Sequence, residues 1–434
     1  MTVGRGASTR TSRLMSAMNR LDASIRRRLP AIYALLVLVL FSNDLASQLL
    51  HGPVRLTFAS IKDVLLLVLV IPAVRRLSLV PRNMRWAVAS ILALVALAAL
   101  RAPNLQAAVL EFRAVYWGLF LLLTAVVLAS ESLQRVVSTS LIVTGNLAAG
   151  AAIATNAFGM AWIDRVARSG GQIASNYFTY LDPSHPRAFT PFLEPNGLGA
   201  AMTLVIVSTV AGSPGKRRSY WLVLPLPVVA LVLSASRSAI LGLGLGLLVW
   251  AMTSHRAISV LWVGRARLWF AGGLVALAVG LLVIGVEYAS RSGDPSARFH
   301  LHTLLDGPRT VLSHPFGLGL GRVGPRASIA FAHAIGVESS FLFIALELGV
   351  FGLGSFLWLL GILSVRYLRG VRWGSDPVGL AGRRGLATLA AALPTIILLG
   401  MIQATPTVWL WWLVWGTAFG VVSHGLPDET HPIG

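Results

Sequence analysis

Apolar residues in this chain of 434 gather into about a dozen long runs that carry few charges. Each run is close to the ~20 residues a helix needs to cross the hydrocarbon core of a bilayer. The pattern predicts helical spans at about 31–50, 57–74, 86–100, 113–130, 136–158, 197–213, 219–234, 237–253, 267–288, 337–365, 385–402 and 406–423. Two connections, roughly 159–196 and 289–336, are too long to be simple turns, and segments of that kind often carry function. The expected fold class is therefore all-α: a polytopic membrane protein of about 12 transmembrane helices with two larger external loops. An arm at 1–30 precedes one transmembrane domain at 31–423, and a short tail follows at 424–434.

Composition agrees with this pattern. Hydrophobic residues make up 56% of the chain and charged residues 12%, with a mean hydropathy of +0.74, which excludes a soluble globule of this size. There is no cysteine, so disulfides, thiolate metal ligands and a cysteine nucleophile are excluded. The net charge of +20 would suggest nucleic acid in a soluble protein, but here it reports mainly topology. The first thirty residues carry Arg5, Arg10, Arg13, Arg20, Arg26, Arg27 and Arg28 against Asp22 alone, which puts that arm in the cytoplasm. Twelve crossings return the C-terminus to the same side. Most remaining clusters then fall inside as topology anchors: Arg75, Arg76, Arg82 and Arg85; Lys216, Arg217 and Arg218; Arg366, Arg369, Arg372, Arg383 and Arg384. A cleaved signal peptide is not expected, because the first apolar segment is too long and no small-residue cleavage site follows it.

The second external loop departs from the charge bias. It holds Arg291, Arg298, Arg309, Arg322 and Arg326 against Asp294 and Asp306, together with His300, His302, His314 and His333. Arginine's planar fork captures phosphate oxygens two at a time, and low dielectric near a membrane strengthens each contact. A lipid-linked diphosphate fits that depth; lipid headgroups or solvent are the plainer partners. Arg237, in Ser-Ala-Ser-Arg-Ser-Ala, opens a span where a cation opposes the helix dipole, a placement that a bound anion offsets. Lys62, Asp63, Glu338 and Glu347 are the other costly charges in or near the membrane. Glu347 is expected to bond neighbouring helices or backbone, while Glu338, at a helix mouth, is the better chemical candidate. Trp162, Tyr177, Phe178 and Tyr180 could stack on sugar rings or anchor at the interface. No GxxxxGK[ST] loop, HExxH pair or EF-hand pattern is present.

Four landmarks, in order, resemble the O-antigen ligase and polymerase superfamily. These are Phe192-Leu193-Glu194-Pro195-Asn196-Gly197-Leu198-Gly199; Ser236-Arg237-Ser238-Ala239; Ala297-Arg298-Phe299 with His314-Pro315-Phe316-Gly317-Leu318-Gly319-Leu320-Gly321; and Glu338-Ser339-Ser340-Phe341-Leu342 with Glu347-Leu348-Gly349-Val350-Phe351-Gly352. They cover about 190 to 352. The resemblance implies a metal-independent, inverting membrane glycosyltransferase without cofactor. Such enzymes move a glycan from a polyprenyl (undecaprenyl) diphosphate carrier to an acceptor hydroxyl on the external leaflet. By resemblance Arg237 and Arg298 bind the diphosphate, with Arg291, Arg309, Arg322 and Arg326 in reserve. Ligases of the family commonly have a His-Asn pair where this chain has Glu338-Ser339, and this departure leans toward a surface-polysaccharide polymerase.

The mechanism so implied has charge growing on the departing diphosphate, stabilised by preorganised arginines. The acceptor hydroxyl gives its proton to Glu338 or, second, His333, a contribution of ~10²–10⁴-fold. Asn196, Arg187, Tyr177 and Tyr180 are candidate glycan or acceptor contacts. Expected partners are the carrier-linked glycan, an acceptor glycan or lipid, membrane lipids, and a flippase and chain-length regulator, with no nucleic acid. The expected place is a bacterial inner membrane, with both termini cytoplasmic and the active site facing the periplasm. The alternatives are a ligase and a secondary transporter; the latter is expected to show internal halves and midplane charges, whereas no repeat relates residues 1–210 to 211–434 and the charge gathers in the external loops.

Overall fold

The computed structural model describes residues 5–50, 52–157, 187–192, 194–212, 222–253, 295–324, 327, 335–337, 339–373, 376–398 and 405–426, and the description below concerns these. They form α1 (Arg5–Leu49), α2 (Gly52–Val74), α3 (Arg82–Leu100), α4 (Leu105–Glu111), a π-helical turn (Phe112–Tyr116), α5 (Gly118–Leu128) and α6 (Glu131–Ala157). After these come α7 (Pro195–Ala211), α8 (Pro225–Ser234), α9 (Arg237–Met252), α10 (Pro295–Ser313), α11 (Ser340–Trp373), α12 (Asp376–Leu398) and α13 (Thr405–Gly425). No strand is present among the described residues.

Five stretches are long and apolar enough to cross a bilayer: Leu56–Val74, Arg82–Leu100, Leu105–Leu128, Glu131–Ala157 and Ser340–Arg372. Each overlaps a run read from sequence, with ends that differ by up to eight residues. Three apolar helices are shorter, namely α7, α8 and α9. The run at 267–288 lies outside the described residues.

Helix boundaries differ from the runs for a simple reason. Hydropathy falls at a charged residue, whereas backbone hydrogen bonding continues through it. Thus α3 begins at Arg82 rather than 86, α12 begins at Asp376 rather than 385, and α1 runs without interruption from 5 through the basic arm. In that arm Arg26 donates to Asp22 one turn earlier, Nε to Oδ1 at 3.0 Å. The connection read as a loop at 289–336 contains the whole of α10.

Helices α7 and α13 form the centre. An apolar helix that is buried on all sides belongs in a core rather than at its rim, and nearly every residue of α7 and of 407–422 in α13 is buried. α13 packs on α1, α5, α6, α7, α11 and α12. Its tryptophans fill the interior: Trp409, Trp411 and Trp415 are almost wholly enclosed, and the Trp412 and Trp415 rings meet edge to face at 5.3 Å. Trp409 donates its indole N–H to the Ala114 carbonyl at 3.1 Å, beside the π-helical turn. Two arginines read as topology anchors are enclosed. Arg383 and Arg384 are 7% and 6% exposed. Arg384 donates to the Ser138 hydroxyl on α6 and to the Ser208 carbonyl on α7 at 3.0 Å, tying three helices together.

Candidate functional site

The site is built around the break between α8 and α9. Ten residues of α8 end at Ser234, Ala235 takes a left-handed conformation (φ 49°, ψ 30°), and Ser236 is extended before Arg237 opens α9. A non-glycine residue in this region is uncommon and persists where its surroundings fix it. They do so here. Ala188 donates its N–H to the Leu233 carbonyl at 2.9 Å, and Arg187 donates Nε–H to the Ser234 carbonyl at 2.9 Å. Arg187 also donates Nη2–H to Ala235 O at 3.4 Å and to Asn196 Oδ1 at 3.3 Å. A guanidinium on the last carbonyls of a helix satisfies them and complements the negative end of the dipole.

Helix α7 supplies the wall. A Cβ at Gly199 would lie 2.7 Å from the Ser236 Cβ, so only glycine admits the break this close. Thr203 donates its hydroxyl to the Ala239 carbonyl at 2.9 Å, and α9 runs alongside α7 in the same direction. Thr407 of α13 reaches the Gly197 carbonyl at 3.3 Å. The motif Pro195–Gly199 and the motif Ser236–Ala239, some forty residues apart in sequence, therefore meet. Around Arg237 the Ser236 and Ser238 hydroxyls are 1% and 6% exposed residues with no hydrogen-bond partner among the described residues. Buried hydroxyls are normally bonded, and the first amides of a helix point toward an anion.

Of the other residues read as donor-binding, Arg322 is exposed in the turn after the glycine-rich segment and Arg309 is exposed on α10, 3.9 Å from Asp306. Arg298 lies within α10. Arg187 and Asn196, read as glycan contacts, bond each other and the end of α8, so their geometry is that of a brace for the break. Glu338, His333, Arg291, Arg326, Tyr177 and Tyr180 lie outside the described residues, as do Trp162 and Phe178.

A second constellation surrounds Glu347. Its residue is fully buried in α11, accepting from Tyr116 Oη–H and from the Gly321 amide, both at 2.9 Å. The segment His314–Gly321 is laid against the same turn: Leu318 N–H donates to Leu346 O at 2.6 Å, and Val350 N–H to Pro315 O at 2.9 Å. Room for this comes from Gly349, whose φ of 79° breaks α11 and whose Cβ would lie 2.3 Å from the Pro315 carbonyl. On the far side Arg101 donates to the Phe316 carbonyl at 2.6 Å, and Leu320 N–H to the Ala98 carbonyl at 3.2 Å. Glu347 thus bonds backbone and a neighbouring helix, as read from sequence. Its partner Tyr116 carried no sequence signal, being one aromatic residue in an apolar run.

The third group is Lys62, Asp63 and Arg113. Asp63 accepts from Lys62 Nζ at 2.9 Å and from Arg113 Nε at 2.7 Å, while Lys62 Nζ sits 4.5 Å from the centre of the Trp409 ring. Arg113 stands in the π-helical turn, a feature often found at functional sites. Through Trp409 this group reaches α13, the helix whose Thr407 bonds Gly197 of α7. A scan against protein-family models finds no match for the chain, and a comparison with curated proteins finds none either.

Proposed function

We propose that the chain is a membrane glycosyltransferase that joins a glycan from a polyprenyl-diphosphate carrier to an acceptor hydroxyl, acting as a surface-polysaccharide polymerase. One observation carries the reading: the start of α9, where the exposed Arg237 is flanked in sequence by two buried serines whose hydroxyls have no partner among the described residues. A helix start, a guanidinium and two hydroxyls make a receptor for phosphate oxygens. The order of the four landmarks, which resembles the ligase and polymerase superfamily, supplies the chemistry.

In this reading the acceptor oxygen attacks the anomeric carbon, its proton passes to Glu338 or His333, and the bond to the carrier's diphosphate breaks. Negative charge moves onto the diphosphate as it leaves. Arg237 and the α9 amides, held in place by Arg187 and the Gly199 contact before reaction begins, stabilise that charge in the transition state. Twelve spans with both termini in the cytoplasm belong to the same proposal, as do a bacterial inner membrane and a periplasmic site.

The break between α8 and α9 also favours a second reading, a secondary transporter, whose sites are commonly built on interrupted helices. The test is the Arg237→Ala variant expressed in cells lacking the native gene. A transferase loses glycan assembly by 10²-fold or so, the size of removing one preorganised donor, while membrane insertion is normal. A transporter leaves carrier-linked glycans unchanged in length and amount.

A further inference from the structure

Helix α10 has two faces. Gly307 meets the Leu342 side chain at the start of α11, where a Cβ would approach to 2.6 Å, and Val311 is 8% exposed. About 100° per residue puts the opposite side at 305, 309 and 312, all within an arc of about 60°. There Leu305 is 64% exposed and Leu312 76%, and Arg309 between them has a side chain 87% exposed. His302 and Asp306, joined at 3.0 Å, form a polar flank. The apolar stripe continues past the end of the helix. Phe316 is 65% exposed and stacks on Phe351 of α11, ring centres 6.0 Å apart. Phe351 in turn begins the exposed apolar face of α11, which runs through Leu357, Trp358 and Val365 to Leu368.

We infer that α10 is an interfacial helix whose outer stripe, Leu305, Leu312 and Phe316, sits in the leaflet at the start of α11. The occupant is lipid because the stripe is continuous with a face of α11 that belongs to a candidate span. A lone leucine at the surface needs no explanation, but a stripe ending on a span's apolar face does. An amphipathic helix of this kind buries its apolar face ~5–10 Å into the headgroup and acyl boundary. Arg309 in the middle of the stripe then extends its guanidinium outward to headgroup phosphates. That assigns Arg309 to the bilayer and removes it from the donor site. The inference depends on the membrane reading but not on the transfer chemistry.

The chain has no cysteine, so single cysteines can be labelled with an environment-sensitive fluorophore in the full-length protein reconstituted in bilayers. Leu305→Cys and Leu312→Cys are compared with Leu357→Cys on α11 and with Arg135→Cys, where the native side chain is 79% exposed. The expected result at 305 and 312 is blue-shifted emission that lipids brominated in the acyl chains quench as they do at 357, with little quenching by aqueous iodide. Iodide quenching equal to that at 135 would overturn the inference. So would protection from both quenchers, which would mean that a protein surface covers the stripe. Release of the unlabelled protein from membranes by alkaline carbonate would instead overturn the membrane reading itself.

Discussion

Glu347 puts a carboxylate where water does not reach, so its two donors decide its worth. Replacing it by Ala leaves the Tyr116 hydroxyl and the Gly321 amide buried without an acceptor, at about 1–3 kcal/mol for each. Glu347→Ala should therefore lower the unfolding temperature of the detergent-solubilised protein sharply. Glu347→Gln keeps one acceptor and should fall between the two; equal stability of all three proteins would contradict this account of the contact. Gly349→Ala meets both a positive φ and the Pro315 carbonyl, and should be at least as damaging as Glu347→Ala by the same measurement. At the break, Arg187→Lys keeps the charge but loses the fork that bonds Ser234 and Asn196 together. Its expected effect is a loss of transfer comparable to that of Arg237→Ala, at unchanged membrane yield.

At the scale of elements, the long apolar runs were legible because each helix buries or exposes a whole apolar surface that few charges interrupt. α2, α3 and α6 were read to within about five residues at their ends, while α11 runs eight residues past the run read for it and carries a break at Gly349 that was not read. The break before Arg237 was legible too, since Ser-Ala-Ser-Arg punctuates an otherwise apolar stretch. What one sequence did not disclose were partners distant along the chain. Arg384 reads only as a topology anchor, and its bonds to Ser138 and Ser208, on two other helices, have no sequence signal. Tyr116 reads as one more apolar residue until Glu347 arrives from α11. Such bonds are fixed by packing angles that no local pattern encodes.

The end of α13 yields a pH prediction. Burial is the main reason the His424 imidazole is held below its ordinary value; Arg366 and Arg76 lower it further, and a bond to Ala129 backbone opposes them. A folded value below the unfolded one means that stability is full at higher pH and is lost as pH falls from about 6.5 through the folded value. His424→Gln should flatten the dependence of unfolding temperature on pH across that range. An unchanged slope would show that the imidazole does not contribute.

At the scale of the whole molecule, the described helices converge on one arrangement: buried α7 and α13 at the centre, and the α8–α9 break braced against α7 by Arg187, Gly199 and Thr203. The charged group Lys62, Asp63 and Arg113 meets α13 at Trp409. The proposed twelve spans, with both termini in the cytoplasm, predict that cysteines introduced at the two ends of the chain react only with a membrane-permeant reagent in intact cells. Reaction of either with an impermeant reagent would remove the proposed topology. The central claim is transfer from a lipid-diphosphate carrier. Its most direct measurement is the length distribution of surface polysaccharide and of polyprenyl-linked glycans in the native cells with and without this gene. The account predicts that deletion removes long chains and accumulates single repeat units on the carrier, with restoration by the wild-type gene and not by Arg237→Ala. Carrier-linked glycans of unchanged length and amount after deletion would contradict it.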